Sequence, residues 1–292
     1  MPEFDPWLAL VRGLHVAAMI SSAGALLFRA IVTRGAARTQ VAIARVSLVA
    51  AFGFGVVWLL MVTQDIAGGP DLPATIAALP VVLEKTQFGH LTAAKLGLLL
   101  FALAMVRQDR RFLVLAIVSS FAALVLQAFL GHAAAEDAWA LPGTESLHLI
   151  GAAAWLGGLL PLLLLVSRSP APAAVAAARR FSPLALGSVV LIAGTGLVQA
   201  TTLIGSVSAL TETAYGQVAL AKMVLFAFLL VLAALNRFVF IGSLGDRRPD
   251  AARRRLHTSV GVEVALGLAV VLTAGVLASL PPAAEAMAMH QH

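Results

Sequence analysis

Cysteine is absent from the chain, which excludes disulfides and thiolate metal sites. Charge is scarce as well: only 12% of the 292 residues are Asp, Glu, Lys or Arg, against 60% hydrophobic residues. A soluble domain of this size cannot cover its surface with so few polar groups, so the composition points to an integral membrane protein. The opening residues, Met1 to Pro6, contain Glu3 and Asp5 and no cation, and so lack the basic start of a signal peptide. The first apolar segment is therefore expected to be retained. The formal net charge of +6 does not indicate a nucleic-acid partner, because basic residues in a membrane protein mainly set its orientation in the lipid bilayer. Without thiolates, any site for a soft metal has to use methionine and histidine.

What the chain does have is long apolar runs, each near the roughly 20 residues that cross a bilayer. They predict eight helices at about 7–33, 42–66, 88–106, 112–132, 145–166, 182–205, 216–240 and 257–280. Barrel strands need only about ten alternating residues, so the fold class is an all-α polytopic membrane bundle. The loops alternate in charge. One set carries Arg29, Arg34, Arg38 and Arg45; Arg107, Arg110 and Arg111; Arg168, Arg179 and Arg180; and Arg237, Arg247, Arg248, Arg253, Arg254 and Arg255, which is 16 of the 20 Lys and Arg. The other set carries Asp65, Asp71, Glu84, Glu136, Asp137, Glu145 and Glu212, with Lys85 as its one cation. By the positive-inside rule the arginine loops are cytoplasmic and both termini lie outside. The expected organisation is one transmembrane domain over 1–282, followed by a flexible Met/His tail over 283–292.

The halves 1–132 and 145–282 resemble each other weakly. Phe88-Gly89-His90 with Lys95 matches Tyr215-Gly216-Gln217 with Lys222. Leu14-His15 with Gly24 matches Leu147-His148 with Gly157, and Gly53 and Gly55 match Gly194 and Gly196. Four helices plus four of the same polarity would form a parallel repeat about an axis along the membrane normal. Several of these glycines also make small-residue faces suited to close helix packing.

Six of the seven histidines fall on the outer side in this topology, with only His257 on the other. His15 lies about two turns inside span one, and Met19, four residues on, shares its face. His90, His132 and His148 mark the outer ends of spans three, four and five, and the tail adds Met287, Met289, His290 and His292. Imidazole with thioether suits Cu(I); imidazole alone suits Cu(II), zinc or haem iron. Arg12, Lys95 and Lys222 lie near the outer interface, where snorkelling would place their charges in water. Glu263 falls near mid-membrane and needs a partner, for which Lys95 and Lys222 are the candidates. Trp155 reads as core packing. No catalytic set is assigned, and no enzymatic activity is expected.

The stretch from His148 to Leu159, with Arg180-Phe181-Ser182, Thr195-Gly196-Leu197, Thr213-Ala214-Tyr215-Gly216, Lys222, Asn236-Arg237, Glu263 and Pro281-Pro282, resembles the copper resistance D family. The likeness runs from about Gly131 to Pro282 and is looser over the first four spans; Gln199 stands where the family pattern has Asn. The resemblance implies an inner-membrane protein that takes periplasmic copper toward the cytoplasm, often beside a periplasmic copper carrier of the CopC type. Copper binding by His15, His132, His148, His90 and Met19, followed by import, is thus the leading expectation. A b-type haem protein ligated by His15 with His148, or by His90 with His132, is the alternative. A copper sensor or assembly factor that binds without transport is a third reading.

Overall fold

The computed structural model describes residues 4–33, 38–68, 71–107, 109–130, 140–240 and 249–289. Its helices are α1 (Pro6–Ile31), α2 (Arg38–Ala67), α3 (Leu72–Lys85), α4 (Gln87–Met105), α5 (Leu113–Ala128), α6 (Ala140–Arg168), α7 (Ala171–Leu203), α8 (Ala209–Glu212), α9 (Ala214–Leu235), α10 (Pro249–Leu277) and α11 (Ala283–Met289). A short 3₁₀ turn, Arg110–Phe112, leads into α5, and a π-turn, Asn236–Phe240, extends α9. Eight of the helices are long and apolar enough to cross a membrane, as expected. No strand occurs among the described residues.

The first N–H and last C=O groups of a helix have no partner within it, and side chains here supply several. The Asp5 carboxylate accepts from the N–H groups of Trp7 and Leu8 at 2.8 and 3.2 Å and starts α1. The arginines meet carbonyls at helix C-termini. Arg45 donates to Val106 O at 2.8 Å beyond α4, Arg180 to Val32 O at 3.2 Å beyond α1, and Arg253 to Ser169 O at 3.1 Å beyond α6. A cation there also matches the negative end of the helix dipole.

The helix α1 is the axis of the bundle and packs against α2, α5, α6 and α10. At its crossing with α6, a Cβ on Gly24 would collide with Gly157 and the Ala153 carbonyl, and a Cβ on Gly157 with the Ile20 carbonyl. Only glycine lets the two backbones come this close. A Cβ on Gly275 would similarly sit 2.6 Å from Ala9 O and 2.8 Å from Gly13 Cα, which fixes α10 against α1. Of the expected small-residue pairs, Gly53 and Gly194 touch nothing within 4 Å and contribute no packing.

The two turns that open α4 and α9 have the same geometry, position for position. Thr86 (φ −117°, ψ 145°) and Thr213 (φ −113°, ψ 148°) are their N-caps. Each hydroxyl donates at 2.7 Å, to Val82 O and Ala209 O, and accepts at 2.9 Å from Gly89 N and Gly216 N. His90 Nε2 donates to Glu84 O at 3.0 Å, and Gln217 Nε2 to Thr211 O at 2.9 Å.

Three segments differ from the sequence expectation. The helix α3 was expected as loop; Asp71 caps it by accepting from Ala74 N at 2.9 Å, Pro73 sits in its first turn, and it packs on α2 and α4. The helices α6 and α7 begin earlier than hydropathy indicated, at Ala140 and Ala171, because polar turns outside an apolar run can still be helical. The segment expected as a loose tail is helical over Ala283–Met289, and Met287 packs against a small cluster containing Ile204, Tyr215 and Leu277. Substituting Gly157→Val should lower the thermal stability of detergent-solubilised protein by about 1–3 kcal/mol or more, whereas Gly53→Ala should leave the melting temperature unchanged.

Candidate metal site and its cavity

His15 is fully buried on α1, and its Nδ1 lies 2.7 Å from the Ala51 carbonyl of α2. A carbonyl only accepts, so Nδ1 carries the proton and Nε2 carries the lone pair. That Nε2 is buried without a hydrogen-bond partner. His148 on α6 is held in the same way by α7. Its Nδ1 lies 3.0 Å from Thr195 Oγ1, whose own proton goes to Leu191 O at 2.7 Å. Thr195 must therefore accept from Nδ1–H, which again leaves the lone pair on Nε2. Orientation of a ligating imidazole through a hydrogen bond at its other nitrogen is the usual arrangement in metal sites.

The surroundings of the two imidazoles differ. Beside His15 the Trp58 ring stands 5.8 Å away, with Lys95 Nζ 4.3 Å and the Arg12 guanidinium 5.4 Å from the Trp58 centroid. Lys95 is fully buried rather than snorkelling: its ammonium donates to Gln127 Oε1 at 2.7 Å and rests on the Trp58 face. Arg12 likewise turns inward, donating to Ala278 O at 2.7 Å and Leu130 O at 3.3 Å. The expected pairing of Glu263 with either lysine is not what forms. Glu263 accepts from Asn236 Nδ2 at 2.9 Å, because the π-turn after α9 brings that amide over α10. The single ion pair among the described residues joins Arg111 to Asp109 at the opposite end of the bundle.

The His148 side is open. It lines a cavity of about 370 Å³ between α1, α6, α7, α9 and α10, together with Glu145, Gln199, Tyr215, Lys222 and Met223. A smaller space of about 140 Å³ continues from it toward Arg12 and Gln127. Glu145 lies within electrostatic reach of both Lys222 and Arg12, so one carboxylate offsets the cations there. The cause of the opening lies in one residue type. Gly55 faces His15, its hypothetical Cβ being 2.8 Å from the ring, and three residues later comes Trp58. Gly196 faces His148 at 3.7 Å by the same measure, and three residues later comes Gln199. The indole fills the first site; the smaller amide leaves the second empty of side chains.

The sequence-predicted ligands are thus not gathered into one cluster. His15 and His148 are held by different helices, and no group of three His, Asp or Glu close enough for one ion occurs among the described residues. Met19 is buried in the main apolar core, and His90 serves the turn before α4. Met287 packs near Tyr215. His132, His290 and His292 lie outside the described residues, as does the side chain of Met289. Trp155 is core, as expected, meeting Phe226 edge-on at 6.1 Å. His257 is exposed. Glu145, Gln199, Tyr215 and Met223 were missed as site residues. Their helical spacing was legible: Glu145 is three residues before His148, and Tyr215, Lys222 and Phe226 share one face of α9.

Two family profiles match the chain: copper resistance protein D over residues 175–277, and the copper resistance protein D-like N-terminal domain over residues 1–142. Among characterised relatives, the copper transport protein CutJ of Bacillus subtilis is 39% identical over 170 residues, covering 56% of this chain and 30% of that protein. The inner membrane protein YebZ of Escherichia coli is 31% identical over 205 residues, covering 68% of this chain and 70% of that protein. The chain therefore matches under a third of CutJ's length. No solved structure matches it. Because Gln217 makes the same bond as His90, His90→Gln should leave both stability and metal affinity within about twofold of wild type, measured by thermal melting and by copper titration of the purified protein.

Proposed function

Since the chain belongs to the copper resistance protein D family, we propose that it is a bacterial inner-membrane protein that binds periplasmic copper at His148 and passes it toward the cytoplasm. It does so without covalent catalysis, and a periplasmic carrier of the CopC type is a fitting donor. The observation that supports this most is the pairing of an oriented imidazole with an open cavity. His148 Nε2 is left free by the bond to Thr195, and the same cavity is lined by the Glu145 carboxylate and the Met223 thioether. Nitrogen, oxygen and sulfur donors of this kind suit copper in either oxidation state.

Charge separates the two histidines. A copper ion at His15 would meet two cations, Lys95 and Arg12, of which Glu145 reaches only Arg12, whereas at His148 the carboxylate of Glu145 offsets the one cation there, Lys222. His15 is accordingly the structural member of the pair, and His148 the ligand. In this reading the halves are a parallel repeat whose first site has been filled by Trp58. The positive-inside topology puts the cavity on the periplasmic side, which supports entry from that side. Competition with a chromophoric Cu(I) chelator should give His148→Ala an affinity lowered by at least about tenfold, a loss of roughly 1.4 kcal/mol, with His257→Ala unchanged. Proteoliposomes bearing the wild type should accumulate copper, and those bearing His148→Ala should not. Equal chelator competition by wild type and His148→Ala would overturn the ligand assignment, and binding without uptake would overturn transport.

A further inference from the structure

The cavity beside His148 is larger than a metal ion requires, and most of its wall is apolar. Leu156, Ile192, Phe226, Val270 and Val271 line its body, and the indole of Trp155 and the ring of Tyr215 add two more aromatic surfaces. Its polar groups converge at one end: Glu145, His148, Gln199 and Lys222. Among these, the Gln199 Nε2 amide is buried beside the Glu145 carboxylate and makes no well-aligned hydrogen bond, so at least one of its two N–H groups is left for a ligand to accept from. An apolar pocket of a few hundred Å³ with a few convergent polar groups is the usual form of a small-molecule site.

The pocket opens sideways. In the first half α2 packs against α4, but in the second half α7 and α9 have no packed interface. Between them lie Leu197 and Met223, which line the cavity and are also 68% and 41% exposed on the outer surface of the bundle. At this depth that surface faces acyl chains, so an occupant would enter from the bilayer. The walls favour a ring over a flexible chain: Trp155 and Phe226 stand edge-on at 6.1 Å, and Tyr215 lines the same cavity. The polar end holds the Glu145 carboxylate and the Lys222 ammonium within electrostatic reach of each other, and such an offset pair favours a neutral acceptor over a free anion.

We propose that the cavity between α7 and α9 is a binding site for a membrane quinone, with a ring carbonyl oxygen accepting from Gln199 Nε2 and Lys222 Nζ and the ring against Trp155 and Phe226. The isoprenoid tail leaves through the gap between Leu197 and Met223. The assignment is independent of copper binding and is tested on metal-free protein.

The test is equilibrium binding of radiolabelled decylubiquinone to the full-length protein in phosphatidylcholine nanodiscs. Saturable binding of one quinone per chain is expected. Gln199→Leu, which removes the donor, should weaken it about tenfold. Leu197→Trp, at an exposed position that should not disturb folding, should block the mouth and abolish it. Val190→Trp, equally exposed on α7 but away from the cavity, should bind as wild type does. Non-saturable binding would overturn the proposal, as would binding indifferent to Gln199→Leu and Leu197→Trp. Displacement of the quinone by oleate as readily as by unlabelled quinone would mark an acyl-chain groove and would equally overturn it.

Discussion

The near-contact of two helix backbones at Gly24 and Gly157 is the constraint on which the rest of the bundle depends. The helices α1 and α6 are its most buried spans, and every other span but α4 and α9 packs on one or both of them. In lipid there is no hydrophobic gain in bringing apolar helices together, so van der Waals contact between closely spaced backbones has to supply the association. The crossing also sets where the two histidines stand. His15 is nine residues before Gly24 on α1, and His148 nine before Gly157 on α6. Each imidazole then finds its hydrogen-bond acceptor on the helix that follows in sequence, Ala51 O on α2 and Thr195 Oγ1 on α7.

The second constraint is that polar groups removed from water must be paired within the protein. The turns before α4 and α9 answer it with the same threonine cap, and the arginines answer it at carbonyl ends beyond α1, α4 and α6. Lys95 is held by Gln127 and the Trp58 face, and Glu263 by Asn236. Buried polar atoms without a well-formed hydrogen bond remain, His15 Nε2 and Gln199 Nε2 among them, and of these residues only Gln199 lines the open space beside Lys222. A site that is sealed in one half of the chain and hollow in the other differs most plainly at Trp58 and Gln199. The positions that face the two histidines, Gly55 and Gly196, are otherwise alike.

Much of the fold was legible in the sequence because bilayer thickness fixes span length and the arginine loops alternate without a break. What hydropathy could not show was helix outside the apolar runs: α3, the early starts of α6 and α7, and α11. The candidate site was legible only in part. His148, Lys222 and Trp155 were visible as motifs, but their relation was not, since α6 and α9 are far apart in the chain and neither encodes its rotation against the other. Lys95 and Arg12 looked like snorkelling side chains from depth alone. Their inward turn depends on Trp58, on the Gln127 amide and on carbonyls just beyond α5 and α10, which no local pattern specifies. Glu263 was seen to need a partner, and the choice of Asn236 over a lysine follows from a π-turn that composition does not signal.

These relations converge on one claim: that the open imidazole, and not the sealed one, is the copper ligand. X-ray absorption at the copper edge, on purified protein loaded with one equivalent, tests it most directly. The account predicts imidazole scattering in the wild type, its loss in His148→Ala and its persistence in His15→Ala. Unaltered imidazole scattering in His148→Ala, with loss in His15→Ala, would contradict it.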